Sequence, residues 1–326
     1  MQDLKASANQ SPEAAGVAAP ASRPSVTVAI CTRNRVALLE KAVHSVLAQA
    51  NTNVEILIVD NGSTDGTAEL VGKFAAADPR VKLFREPQPG ISIGRNLALR
   101  GAKGDWVIFL DDDATAEAGW LAAYEKFFLH LPNPRVAVIG GAVIPQYETP
   151  LPKWMDAEGK WGPQNQKPFC FAHGHTPSEG NSAYRRDVTL QAGGFDLRLG
   201  PRGDAAGYRE GADLNLRLQG AGYEIWWLPD APIRHLVHAG RLNLRWFLRA
   251  AFNGGRSIAI QRVKGRAPGV RKLYIAGRIL VAPFHCAINL FVSLTTFPFR
   301  NGRVAAKALF RAASVAGFAC ELLKQL

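Results

Sequence analysis

Between residues 26 and 144 short β-rich apolar runs alternate with amphipathic helical stripes, and this alternation restricts the fold more than any other feature. Residues 26–30, 54–59, 81–84, 106–110 and 136–144 read as strands. Apolar residues at helical spacing separate them: Val36, Leu39, Val43, Val46 and Leu47, then Leu70, Val71 and Phe74, then Trp120, Leu121, Tyr124, Phe127 and Phe128, with a further helix over 92–100. Apolar strands alternating with such helices imply an α/β fold, a parallel sheet covered on both faces. Functional loops of these sheets gather beyond the C-terminal strand ends. The loops so placed begin with Thr32-Arg33-Asn34-Arg35, Asp60-Asn61-Gly62-Ser63, Pro89-Gly90-Ile91-Ser92 and Asp111-Asp112-Asp113.

Three consecutive acids at the end of a buried strand are costly without a cation, through repulsion and lost hydration. On an extended segment residues i and i+2 face the same way, so Asp111 and Asp113 can converge on one point. Hard oxygen ligands of that kind suit Mg²⁺ or Mn²⁺, whereas a solvated acidic turn beside Thr115 is the plainer alternative. Asp60, directly after the second strand, can accept hydrogen bonds from a base or ribose, or cap its own turn through Ser63. The sequence has neither GxGxxG nor GxxxxGK[ST], which counts against a Rossmann dehydrogenase and a P-loop NTPase.

The segments 26–35, 59–67, 90–96 and 109–113, followed by Gly180-Asn181-Ser182-Ala183-Tyr184-Arg185-Arg186, Gly193-Gly194-Phe195-Asp196, Ala221-Gly222-Tyr223 and 229–235, resemble the successive motifs of family 2 glycosyltransferases over residues 26–260. The resemblance implies a GT-A nucleotide-diphospho-sugar transferase fold with a mainly parallel mixed sheet, and an inverting, metal-dependent transfer from a nucleotide-sugar, UDP-sugar being the expected donor. It implies that Thr32, Arg33 and Arg35 line the nucleotide pocket and that Asp60 holds the base. Arg95 and Asn96 would help hold the pyrophosphate, with Asp112 beside the Asp111 and Asp113 pair. Asp113, Asp111 and His235 would bind the Mn or Mg ion, and Gly180 and Asn181 would lie beneath the donor sugar.

One departure concerns the base that takes the acceptor's proton. The family pattern places Glu-Asp ahead of a Leu and an Arg-Leu pair, and alignment on Leu214 and Arg217-Leu218 puts the usual base position on Gly211. Glu210 and Asp213 flank it, three apart on neighbouring faces of a helix, and Asp204 is a more distant candidate. Glu210 is the slightly preferred base, since Asp213 can instead pair with Arg217.

The two ends differ in kind. Residues 1–24, rich in Ala, Ser and Pro, read as a disordered tail ahead of a catalytic domain over 25–240. From residue 231 onward 16 Lys and Arg face a single acid, Glu321, whereas the preceding residues hold 23 basic and 26 acidic groups. Residues 241–326 therefore read as a helical, membrane-associated region drawn to an anionic surface. Arg241, Arg245 and Arg249 recur every four residues opposite Leu244, Phe247 and Leu248, as in an interfacial helix. Residues 279–299 carry no Lys, Arg, Asp or Glu, but Pro283, His285, Asn289 and Pro298 and cations on both flanks favour a re-entrant or peripheral segment at the cytoplasmic face of the inner membrane. Exopolysaccharide assembly on a lipid-linked saccharide acceptor fits that setting. Nucleic acid is not an expected partner, because the cations are mixed with long apolar runs. Four widely spaced cysteines without a CxxC pair argue against a disulfide scaffold or cysteine zinc site. A sugar nucleotidyltransferase and a non-catalytic, membrane-recruited nucleotide-binding scaffold are the competing functions.

Overall fold

The computed structural model describes residues 24–49, 54–155, 161–202, 206–296 and 302–325. Residues 1–23 of the expected tail, the candidate base Asp204, and Pro298 in the apolar run lie outside the described residues. In chain order the elements are β1 (Val26–Thr32), α1 (Val36–Leu47), β2 (Val54–Asp60), α2 (Thr67–Ala77), β3 (Val81–Arg85), α3 (Ile91–Gly101) and β4 (Trp106–Leu110). They continue with β5 (Ala114–Ala116), α4 (Trp120–Leu129), β6 (Val136–Tyr147), β7 (Phe169–Cys170), β8 (Asn181–Arg185), α5 (Arg186–Gln191), α6 (Glu210–Gly220) and β9 (Glu224–Val237). A 3₁₀ turn (Ala239–Arg241) leads into α7 (Leu244–Val263), α8 (Pro268–Thr296) and α9 (Gly302–Leu323).

The strands form one sheet in the order β3-β2-β1-β4-β8-β6-β9-β5, with β7 also on β9. The pairs among β3, β2, β1 and β4 are parallel, as the βαβ alternation requires. β8 enters antiparallel between β4 and β6, β9 runs parallel to β6, and β5 and β7 are antiparallel to β9. The period of two divides each central strand between two cores. Val28, Ile30, Ile56, Ile58 and Ile108 face α1, α2 and α4 through Leu39, Val43, Val71, Trp120 and Phe128. Ala29, Leu57, Val59, Val107 and Phe109 face α3, α5 and α6 through Ala98, Leu99, Val188, Leu214 and Leu218. Each large apolar side chain so buried contributes about 1.5–3 kcal/mol relative to exposure.

The last three helices make a separate small core of Ala259, Val263, Ile275 and Leu322. α7 and α9 cross where Gly255 and Gly317 carry no side chain, since a Cβ on either would strike the backbone of the other helix. This block is joined to the α/β layers by Trp154, whose ring packs edge-on against Phe247 and Phe310. The described part of the charge-free run lies on a single helix, α8, which passes through Pro283 without ending, so no hairpin folds within it.

Candidate active site

β4 delivers the three acids. It stops at Leu110 and the chain turns into β5, whose pairing with β9 sets Ala114 opposite His235. Strand register alone therefore brings the imidazole beside the acids. His235 Nε2 lies 3.1 Å from Asp113 Oδ1 and 3.8 Å from Asp111 Oδ2. One ligand atom from each of the three side chains falls within 4.8 Å of the others. Asp112 turns the other way, accepting hydrogen bonds from Thr32 Oγ1 at 2.8 Å and Arg35 Nη1 at 2.8 Å. The same Arg35 nitrogen reaches Asp113 Oδ2 at 3.1 Å, and Arg241 Nη2 lies 3.6 Å from that oxygen.

These contacts decide how the acids titrate. Burial opposes the charge of Asp113, but the hydrogen bond and charge of His235, with Arg35 and Arg241, outweigh it and hold the carboxyl at about 2. For Asp112 burial wins over Arg35 and, with repulsion from Asp113, pushes the group up to about 6. His235 is shifted upward: burial disfavours its proton, while Asp113 and Asp111 favour it more strongly. Two hard carboxylates and one imidazole converging on a single point make a donor set that fits a divalent cation such as Mn²⁺ or Mg²⁺.

A second charged group lies deeper. Arg95, on α3, is 4% exposed and sits over the rings of Phe109 and Phe195. Its Nη1 donates to Glu210 Oε1 at 2.9 Å and its Nη2 to Asp111 Oδ1 at 3.2 Å. A charge buried this thoroughly is tolerable only with such partners. Gly180 lets Asp111 approach, because a Cβ there would lie 2.0 Å from Asp111 Oδ2.

The acids open into a cleft of about 650 Å³ beyond the C-terminal ends of β1 and β4. Thr32, Arg33, Arg35, Arg95, Asp111, Asp112, Asp113, Glu210 and His235 all line it. Besides Gly180, four sequence-derived candidates do not line it, each for a visible reason. Asp60 Oδ1 accepts the Ser63 N–H at 2.9 Å and so caps its turn. Asn96 is bonded in both directions to the Phe195 backbone and pins the 193–196 loop. Asn181 is fully buried, donating to the Ala142 and Ala231 carbonyls and accepting from Trp120 Nε1 and Tyr124. Asp213 is 3% exposed and pairs with Arg217 at 2.8 Å and Lys264 at 3.3 Å.

Sequence reasoning missed other cleft residues. Glu179 lines the cleft although it stands alone in a polar loop. Arg241, Trp246 and Arg249 line it as well, and Arg241 belongs to the 3₁₀ turn rather than to α7. The four-residue spacing of arginines is thus divided between a turn and a helix, and at least two of the three cations face the cleft because the small helical block packs against its rim. α7 is fastened there by Ser257 Oγ, which accepts the Tyr208 N–H, and by Gln261, which accepts from Arg209.

Comparison with known proteins gives a consistent result. The model of glycosyl transferase family 2 matches residues 27–191. A glucosyl-dolichyl phosphate glucuronosyltransferase of Haloferax volcanii is 27% identical over 238 residues, 71% of this chain and 75% of that one. The succinoglycan biosynthesis protein ExoM of Rhizobium meliloti is 25% identical over 300 residues, 90% and 92% of the two chains. Among solved structures, the mannosyltransferase PcManGT of Pyrobaculum calidifontis in complex with GDP-Man and Mn²⁺ superposes with a TM-score of 0.59 at 20% identity, over 91% of this chain and 88% of that one. At that identity the likeness is one of fold, and the fold is GT-A.

Proposed function

The chain belongs to glycosyl transferase family 2 and is a glycosyltransferase, and from that premise we propose that it transfers a sugar from a nucleotide-diphosphate donor, UDP-sugar by preference, to a lipid-linked saccharide with inversion at the anomeric carbon. The observation that carries this reading is the convergence of Asp111, Asp113 and His235 in a cleft that Arg33, Arg35, Arg95, Arg209, Arg241 and Arg249 also line. The departure of a nucleoside diphosphate needs its growing negative charge neutralised. A divalent cation held by Asp111, Asp113 and His235 would supply Lewis-acid stabilisation of that charge. Arg35 and Arg241 stand on the same side and add fixed positive charge that needs no reorganisation as the bond breaks. Arg95 keeps Asp111 and Glu210 in place from beneath. The acceptor hydroxyl then needs a carboxylate to take its proton, and Glu179 and Glu210 line the same cleft.

The setting is a membrane surface, in polysaccharide or glycolipid assembly. α8 is long and apolar enough to cross a membrane, and 11% of its most apolar window is buried. Leu273, Leu280, Phe284, Ile288, Phe291 and Leu294 all lie exposed along it. The archaeal relative is named for a dolichyl phosphate and the bacterial one for succinoglycan biosynthesis, which supports a lipid-linked acceptor and an exopolysaccharide product. The cytoplasmic leaflet, where each Lys or Arg near anionic lipid adds about 1 kcal/mol, suits the basic C-terminal region.

The test is a panel of UDP- and GDP-sugars assayed for Mn²⁺-dependent nucleotide release with a membrane extract as acceptor. Asp111→Ala combined with Asp113→Ala should abolish release and transfer while the protein stays folded by circular dichroism. Near-normal turnover in that variant would remove the metal-assisted reading.

A further inference from the structure

Five carboxylates line the cleft: Asp111, Asp112, Asp113, Glu179 and Glu210. Four of them are engaged. Asp111 is paired with Arg95, Asp112 with Arg35, Asp113 with His235 and Arg35, and Glu210 with Arg95. Among the described residues no ion pair engages Glu179. Its side chain leaves the loop before β8 and lies across the first turn of α6. A Cβ on Gly211 would fall 1.7 Å from Glu179 Cγ and 2.5 Å from its Oε1. Glu179 thus fills the space that Gly211 leaves open, and the volume a side chain at 211 would occupy holds a carboxyl group supplied by another element.

We propose that Glu179 is the general base of the transfer, presenting from the β8 side a carboxylate that α6, with glycine at 211, does not provide. This rests on the glycosyltransferase reading above. In the step, the acceptor oxygen forms its bond to the anomeric carbon. The bond from that carbon to the diphosphate oxygen breaks, its electron pair leaving with the diphosphate. The hydroxyl proton passes to the Glu179 carboxylate. Glu210 is the poorer recipient, because a proton arriving there would break its buried pair with Arg95. The surroundings of Glu179 agree with the role. Burial and then the charge of Glu210 push its pKa above the ordinary carboxylate range, with Asp111 adding to the rise and Arg95 opposing it. Arg209, which caps α6, and Tyr184, on β8, are the other titratable groups that feel its charge. The glycine at the usual base position, 211, thereby gains a catalytic explanation.

The experiment compares Glu179→Gln, Glu179→Gly and the double variant Glu179→Gly with Gly211→Asp, in the full chain. Binding of UDP and GDP with Mn²⁺ is followed by calorimetry and transfer by the nucleotide-sugar panel. Glu179→Gln should lose about 10²–10⁴-fold in kcat, the usual contribution of a positioned base, with nucleotide affinity unchanged. The double variant, which returns a carboxylate to the same volume from α6, should exceed Glu179→Gly in kcat. Wild-type kcat in Glu179→Gln overturns the proposal, and so does a loss of kcat matched by a loss of nucleotide affinity, which would make Glu179 a packing residue. A wild-type chain that transfers no sugar from any donor overturns the glycosyltransfer reading together with it, an outcome distinct from a defect confined to position 179.

Discussion

Position 180 shows how little room the acidic cluster leaves. With Asp111 Oδ2 2.0 Å from where its Cβ would stand, Gly180→Ala must displace a carboxylate that Arg95 already holds. Overpacking of this kind typically costs about 1–3 kcal/mol. We expect the fold to survive and the Mn²⁺ activation curve for nucleotide release to move to higher concentration. An unmoved curve would mean that Asp111 has no part in holding the ion. At this scale the sequence was informative wherever chemistry came in dense runs. Asp111, Asp112 and Asp113, and Thr32, Arg33 and Arg35, all reach the cleft. It does not separate ligand binding from scaffold duty for a polar residue beside a motif. Asn181 and Asn96 satisfy backbone groups, and nothing in residue type separates that duty from ligand binding. Glu179 left no sequence signal of its own; the hint was the missing carboxylate at 211.

At the level of elements, β1 to β4 and α1 to α4 were legible because their periods of 2 and 3.6 are nearly unbroken. The far half of the sheet was harder. β5 has three residues, β7 two, and β9 carries Pro229 and Pro232 and meets β6 with a shift in register near Gly141. Yet β9 positions His235, so the least regular strand places one of the chemical groups. α7 is tied to the α/β domain at its far end by Lys264, whose Nζ lies 2.7 Å from Asp196 and 3.3 Å from Asp213. Asp196 is held below the ordinary carboxylate range, first by the hydrogen bond from Arg198 and then, against burial, by that from Lys264. A depressed folded value contributes stability that is complete above the unfolded value of about 3.9 and fades as pH falls through the folded one. Lys264→Ala should therefore lower stability at neutral pH by about 1.5–3 kcal/mol, the scale of a charge-assisted hydrogen bond. It should also flatten the acid limb of the stability profile. Urea titrations at neutral and acidic pH would show both, and an unchanged acid limb would refute the link.

For the whole molecule the charge divide of the sequence becomes a spatial one, an α/β layer with a slight acidic excess and a basic helical block against its cleft. The exposed stripe on α8 is the part of that block with no protein surface over it among the described residues. Replacing Leu280 and Phe284 by Glu removes two side chains, each worth about 1.5–3 kcal/mol when fully transferred from water. Co-sedimentation with anionic vesicles should fall steeply while UDP and GDP binding stays as it was. Retained sedimentation would shift the attachment to the cations alone.

Trp246 and Arg249 line the cleft from α7, the helix whose Ala259 and Val263 share a core with Ile275 of the exposed apolar helix α8. If that block rests on a lipid surface as proposed, a tilt of α7 there retunes the positive charge that Arg249 brings to the cleft. Detergent extraction would then blunt catalysis even toward a water-soluble acceptor.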